Sequence, residues 1–240
     1  MGFRGSDLRS RGPTAEFVST YLPWKGVGAP PPTPDFLWQM DESSGTRAAV
    51  RGEDLLATGT INAVTGKFGN AADFTDDTGD ILQVSTQSYG ANRSFSCWVY
   101  VGANEGVGTD HIMGSRDTGV GAASVFHVTR GTKTIGFLNG FLNLNSSNNY
   151  VENDWNHVVG VIEDAGGGFD RTVIYLNGVR TPHASLTTID TTGPNFSVGR
   201  ASNAVNALLG AVDQVAIWAD PLTQAQVLGL FNNGDGVILA

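Results

Sequence analysis

The stretch from Trp155 to Val179, WNHVVGVIEDAGGGFDRTVIYLNGV, constrains the fold more than any other part of the chain. In its first half Trp155, His157, Val159 and Val161 alternate with Asn156, Val158, Gly160 and Ile162. In its second half Val173, Tyr175 and Val179 alternate with Ile174 and Leu176 around an Asn177-Gly178 turn. Alternation with period two marks strands, and the Gly166-Gly167-Gly168 run between the halves reads as a hairpin tip. Both strands are apolar on both faces, so they predict a sheet covered on each side by another layer. A two-sheet sandwich meets that requirement.

The rest of the chain supplies short strands at Phe36 to Met40, around Ile61 and Val64, and at Phe68 to Phe74, Ile81 to Val84 and Phe95 to Val101. More follow at Ile112 to Gly114, Ser124 to Thr129 and Thr134 to Leu138. In a chain of 240 residues with 32 glycines, many short strands joined by turns are the economical reading. Leu222 to Phe231, just after Pro221, is the one helical pattern, with Leu222, Val227, Leu230 and Phe231 able to share a stripe. The prediction is an all-β, two-sheet antiparallel jelly-roll sandwich over residues 35–240, with one short C-terminal helix. Residues 1–34 form an extended N-terminal arm ending in a stiff Pro-rich linker, Gly26 to Pro34.

The order and spacing of several motifs resemble the laminin-G-like, concanavalin-A-like jelly-roll domains. They are FLWQMD at Phe36 to Asp41, GKFGNAADF at Gly66 to Phe74, FSCWVYV at Phe95 to Val101, and WNHVVGV with RTVIYLNGV in the central stretch. SVGR at Ser197 to Arg200, GAVDQVAIW at Gly210 to Trp218 and LTQAQV at Leu222 to Val227 continue the pattern. The resemblance covers roughly residues 36 to 234. It implies a sandwich that hosts lectins, glycosidases, adhesion modules and inert structural domains alike.

Charge separates the arm from the body. Residues 1–34 carry a net +2, which leaves −11 on the remainder to reach the overall −9. An acidic body disfavours nucleic-acid binding through phosphates. No apolar run approaches the length that crosses a bilayer, and the N-terminus lacks the apolar segment of a secretory signal. Read as a native start, Met1 then implies synthesis in a cytoplasm. The single cysteine, Cys97, allows no intrachain disulfide and reads as a buried, inert thiol.

Catalytic chemistry finds little support. Glycosidases of this shape carry carboxylates on alternate residues of one strand, whereas Glu163-Asp164 and Asp76-Asp77 are adjacent and would point to opposite faces. His111, His127, His157 and His183 show no zinc spacing, and His157 reads as a packed, hydrogen-bonded imidazole. No enzyme activity is expected. The family resemblance implies one structural calcium ion, with Asp213 as ligand and Asp41 and the Gly69 carbonyl as weaker ones. The alternative for Asp213 is to cap a turn or pair with Arg200. For glycans, Phe141 and Tyr150 are the rings expected to stack on sugar, beside Asn-rich loops.

Two function classes follow. One is a non-enzymatic structural protein of a virion, a bacteriophage capsid-decorating or head-fibre protein. Its arm would anchor to capsid proteins through Arg4, Arg9, Arg11, Phe17, Tyr21 and Trp24, as a homo-oligomer displaying the sandwich. The other is a carbohydrate-binding adhesin or tail-fibre module for host surface glycans. Neither involves nucleic acid or membrane insertion.

Overall fold

The computed structural model describes residues 28–74, 79–88, 92–103, 108–115, 122–140, 142–188, 192–201 and 207–240. Among these described residues, sixteen strands form two antiparallel sheets. The nine-stranded sheet contains β1 (Phe36–Trp38), β3 (Asn62–Thr65), β4 (Asn70–Asp73), β6 (Arg93–Val101), β11 (Trp155–Gly166), β12 (Phe169–Leu176), β13 (Val179–Pro182), β14 (Thr187–Thr188) and β16 (Gly210–Trp218). Its main order is β13-β12-β11-β6-β16-β4-β3, with β1 paired to β16 and β14 to β12. The seven-stranded sheet contains β2 (Leu56–Thr58), β5 (Ile81–Ser88), β7 (Thr109–Ser115), β8 (Ala122–Thr129), β9 (Thr134–Gly140), β10 (Leu142–Asn145) and β15 (Thr192–Val198). Its order is β10-β9-β8-β7-β15-β5-β2.

The central stretch is the expected hairpin, and both of its faces are covered. Val158 and Ile162 of β11, with Ile174 and Leu176 of β12, look into the core between the sheets. Gly160 belongs to that side too, where an added Cβ would stand 2.7 Å from the Phe137 ring and 2.8 Å from that of Phe126. Val159, Val161, Val173 and Tyr175 face the other way into a second cluster, under α1 (Gln224–Phe231) and the C-terminal Leu239. The second covering layer is therefore a helix and chain ends rather than a third sheet.

A bulge in β16 sets what that strand presents. Val212 faces the core, and strict alternation would send Ala216 there as well. Register shifts between Asp213 and Ala216, with Gln214 at φ 42°, so that Val215 and Ile217 take the core side. Ala216 and Trp218 then pack under α1. The helix itself opens with a capping box, in which Thr223 Oγ1 accepts the Gln226 N–H and the Gln226 side chain accepts the Thr223 N–H.

The expected linker is corrected in its described part. Residues 28–35 are fastened to the sandwich: Ala29 N–H donates to the Ala225 carbonyl at 2.7 Å, Trp218 Nε1 to the Pro32 carbonyl at 2.9 Å, and Ala219 N–H to Asp35 Oδ2 at 2.7 Å. A buried indole N–H needs an acceptor, and a proline-rich segment without competing N–H groups offers its carbonyls readily. Among the described residues no helix is long and apolar enough to cross a membrane.

Candidate functional site

The three residues expected to hold calcium come together around one tight loop, Gly66 to Asn70, between β3 and β4. Gly66 N–H closes it on the Gly69 carbonyl at 2.9 Å. From β16, Asp213 Oδ2 accepts the Phe68 N–H at 2.8 Å; from the other side, Asp41 Oδ1 accepts the Asn70 N–H at 2.9 Å and its carbonyl the Asn70 amide at 2.8 Å. Glycine is required at both ends of the loop. A Cβ at 66 would lie 2.7 Å from Asp213 Oδ2, and one at 69, where φ is 59°, 2.3 Å from Asp41 Oδ1.

These residues do not fit a calcium cage. The ion takes roughly six to eight oxygens, and here Asp213 Oδ2, Asp41 Oδ1 and the Gly69 carbonyl each accept one of the loop's own N–H donors, which leaves Asp213 Oδ1 as the buried oxygen of this set without a hydrogen-bond partner. Among the described residues, no three His, Cys, Asp or Glu side chains gather where an ion could sit. Asp213 is fully buried, and that burial pushes its carboxyl up to about 8, against the pull of the Phe68 N–H, with the Asp41 charge adding to the rise. The turn-capping alternative describes the geometry.

The clamped loop lays its side chains over the outer face of the nine-stranded sheet. Phe68 meets Trp98 edge-on at 6.2 Å, and Lys67 Nζ stands 4.6 Å above the Trp98 ring while donating to the Gly234 carbonyl at 2.5 Å. Beneath, Trp98 lies 4.8 Å from His157, whose Nε2 is 3.0 Å from Ser96 Oγ. Burial pushes that imidazole down to about 3, helped by the Lys67 charge, so it is neutral. No hydrogen-bond partner faces its Nδ1, and His157 and Ser96 are only 2% and 3% exposed. A serine nucleophile needs an oriented base and an approach for substrate. This pair has neither.

Next to that buried row, towards the end of the sheet, the same face opens. Tyr100 of β6 and Trp155 of β11 are directly paired, half-buried, and meet edge-to-face at 5.8 Å. Register continues the row across the sheet: Tyr100 opposite Ala211, Ala211 opposite Asp73, and Asp73 opposite Asn62. The aromatic end is held firmly. Asn156, fully buried, accepts from Val151 N–H at 2.9 Å and donates to the Val151 and Asp154 carbonyls at 2.8 and 3.0 Å. Asn153 N–H donates to the Val101 carbonyl, which ties the 150–155 turn to the end of β6. A half-buried ring fixed in this way stacks on a ligand with little loss of side-chain freedom.

Other expected residues fall elsewhere. Tyr150, expected to stack on sugar, is 4% exposed and packed among the residues between the sheets, so its ring faces are covered; this corrects the expectation. Its ring points inward because its N–H is fastened to the Lys133 carbonyl at 2.9 Å, the chain turning there towards β11. Phe141 and the arm residues Arg4, Arg9, Arg11, Phe17, Tyr21 and Trp24 lie outside the described residues. Cys97 is fully buried, and burial pushes its thiol up, away from reactivity. Tyr100 and Trp155 are not among the rings that the sequence pattern singles out, because each reads as the end of an apolar strand. The available signal is their amphipathic character at a strand terminus, where a side chain can be half in the layer and half in water.

Comparison with known proteins places this geometry. A family model described as the concanavalin A-like lectin/glucanases superfamily, of laminin-G type, matches residues 75–228. No curated protein matches the chain's sequence. Among solved structures, the sialidase of Trypanosoma rangeli in complex with sialic acid is similar at 18% identity and a TM-score of 0.64, over 87% of this chain and 34% of that one. This chain thus spans about a third of the sialidase's length. Domain 4 of a GH43 extracellular arabinanase from Geobacillus stearothermophilus, in complex with arabinotriose, is similar at 16% identity and a TM-score of 0.62, over 82% of this chain and 97% of that one. The receptor binding domain of a botulinum neurotoxin C/D mosaic serotype is similar at 14% identity and a TM-score of 0.60, over 83% and 51%. At these identities the structural likenesses establish the fold.

Proposed function

The chain belongs to the concanavalin A-like lectin/glucanases superfamily, and from that premise we propose that it is a carbohydrate-binding module, without catalysis of its own, that takes glycan on the Tyr100–Trp155 face. The single observation that carries this reading is the half-buried, edge-to-face pair of Tyr100 and Trp155, rigidly supported and flanked across the sheet by Asp73 and Asn62. Apolar C–H faces of sugar rings stack on such surfaces, while carboxylate and amide groups hold hydroxyls. The arabinanase domain solved with arabinotriose is a precedent for an oligosaccharide on a sandwich of this shape. Binding to a broad glycan panel by the wild type and by Trp155→Ala tests it. We expect a set of binders that the variant loses by tenfold or more with its melting temperature little changed; a wild type that binds no glycan overturns the reading.

A second reading, a structural component of a bacteriophage virion anchored by its N-terminal arm, is favoured by the fastening of residues 28–35 to β16 and α1. These bonds hold the chain at Gly28 to a fixed point of the sandwich, which suits an anchor. Removing residues 1–27 should then abolish association with particles, and any homo-oligomer seen by light scattering, while the sandwich stays folded. Unchanged association removes that reading.

A further inference from the structure

The open part of the outer face is confined to the aromatic pair and the turn beside it. Across the sheet from Tyr100 the register brings Ala211, only 2% exposed, and along the strands the clamped Lys67 and Phe68 cover Trp98. On the opposite side β12 stops at Leu176, which pairs with Val158, three residues short of Trp155, so no strand walls off that ring. The rings of Tyr100 and Trp155 are inclined at 63° with centroids 5.8 Å apart, and they form a corner rather than a flat platform. A sugar ring seated there stacks on one ring and meets the other at its rim. Its substituents then lie against whatever the 150–155 turn presents.

That turn presents acid and no free base. Asp154 is exposed, and its Oδ1 accepts the Trp155 N–H at 2.7 Å, which fixes a carboxylate beside the pair. Glu152 of the same turn takes up Lys133, whose Nζ donates to its Oε2 at 2.7 Å. Lys67 is committed to the Gly234 carbonyl and the face of Trp98, and Arg200, which follows β15 in the other sheet, has a partner of its own. The sequence shows how thoroughly cations are kept away. Ser94 to Ser115, Thr134 to Asp170 and Ala201 to Ala240, the segments that supply Tyr100, Trp155 and Ala211, contain no lysine or arginine. A sugar carboxylate that leaves water needs such a partner. Here it meets Asp154 instead, in the field of a body that carries −11.

We propose that this face selects uncharged sugar units and rejects those that bear a carboxylate, uronic and sialic acids among them, with Asp154 as the residue that sets the selection. The inference rests on the carbohydrate-binding reading above and specifies its substrate class. A neutral unit donates a hydroxyl to the Asp154 carboxylate, whereas an acidic unit brings a second anion beside the first, and both lose water without a counter-charge.

The test is calorimetric titration of the full chain with matched pairs, at low and at physiological salt, beside Asp154→Asn. The pairs are gluco-, galacto- and manno-disaccharides against the corresponding uronic-acid disaccharides, lactose against sialyllactose, and the strongest binder of the glycan panel against its oxidised or reduced counterpart. In each pair that binds, the neutral member should bind tenfold or more tightly, and the gap should widen at low salt, where repulsion is less screened. Asp154→Asn keeps an oxygen for the Trp155 N–H while removing the charge, and should narrow the gap severalfold. An acidic member that binds as tightly as its neutral counterpart overturns the selection, as does a gap that neither salt nor Asp154→Asn alters; carbohydrate binding stands in both cases. Failure of every pair together with a blank glycan panel overturns both.

Discussion

Asp213 and His157 flank Trp98 from the strands on either side of β6, on one buried face, and are both neutral at mid-range pH, with opposite consequences for stability. The Asp213 carboxyl is raised to about 8 by burial, so its contribution is present at low pH and is lost as pH rises from its ordinary range through 8. The His157 imidazole is lowered to about 3, so its contribution is present at high pH and is lost as pH falls below its ordinary range. Between these ordinary ranges the two slopes oppose; above them only Asp213 acts, costing about 1.4 kcal/mol for each pH unit up to 8. Asp213→Asn, which keeps an oxygen for the Phe68 N–H, should flatten that loss. Urea unfolding from pH 6 to 9 reads it, and an alkaline decline identical in the variant would show that Asp213 is ionised in the fold. At this scale the sequence pattern was uneven. It placed Asp213 beside Asp41 and Gly69 through family resemblance, but it could not tell ion ligand from loop clamp, because that depends on which N–H groups the carboxylates meet. It named Phe141 and Tyr150 as sugar platforms and passed over Trp155, because exposure of a ring is settled by what lies above it.

Among the elements, α1 and the segment at 28–35 hold each other in place. Gly229 makes the contact possible: a Cβ there would lie 1.9 Å from the Ala29 carbonyl oxygen. Gly229→Ala therefore favours the isolated helix by up to about 1 kcal/mol in propensity, yet should lower the melting temperature, because the backbone of Ala29 has to move. Limited proteolysis would show new cleavage near residues 28–34 in the variant; unaltered protection would mean that the segment does not depend on the helix. Thr223→Ala removes the reciprocal cap and should cost about 1 kcal/mol, read as a shift in the denaturation midpoint. The helix was legible as an element from its apolar stripe after Pro221, whereas β16 was visible only as a motif of the family resemblance. The bulge at Asp213–Ala216 was not. A run such as GAVDQVAIW is apolar on both faces, and the residue at which its parity flips is chosen by what packs above and below.

For the whole molecule, the docking of residues 28–35 moves the structural boundary towards the N-terminus. A chain beginning at residue 28 should melt as the full chain does, whereas one beginning at residue 36 loses the Pro32 acceptor of the Trp218 indole and the Asp35 cap on Ala219 and should melt several degrees lower. Equal melting of the two would show that the segment only rests on the sandwich. If the hydrogen bonds to Asp213 and Asp41 suffice to clamp the Gly66–Asn70 loop, excess chelator should leave the melting temperature unchanged. A drop that calcium restores would mean that the carboxylates share an ion after all.

The alternation of Trp155 to Val179 and the spacing of the glycine-bounded strands determined, without any coordinates, that this chain forms a covered two-sheet sandwich with a late helix. Those are properties of local period and composition, and they survive whatever the chain folds against. Which residues of that sandwich meet water, which carboxylate meets a backbone donor, and that Trp155, Tyr100, Ala211, Asp73 and Asn62 share one row were decided by strand order and register alone. Residues more than a hundred positions apart become neighbours only when β16 and β6 pair, and no local pattern records that pairing.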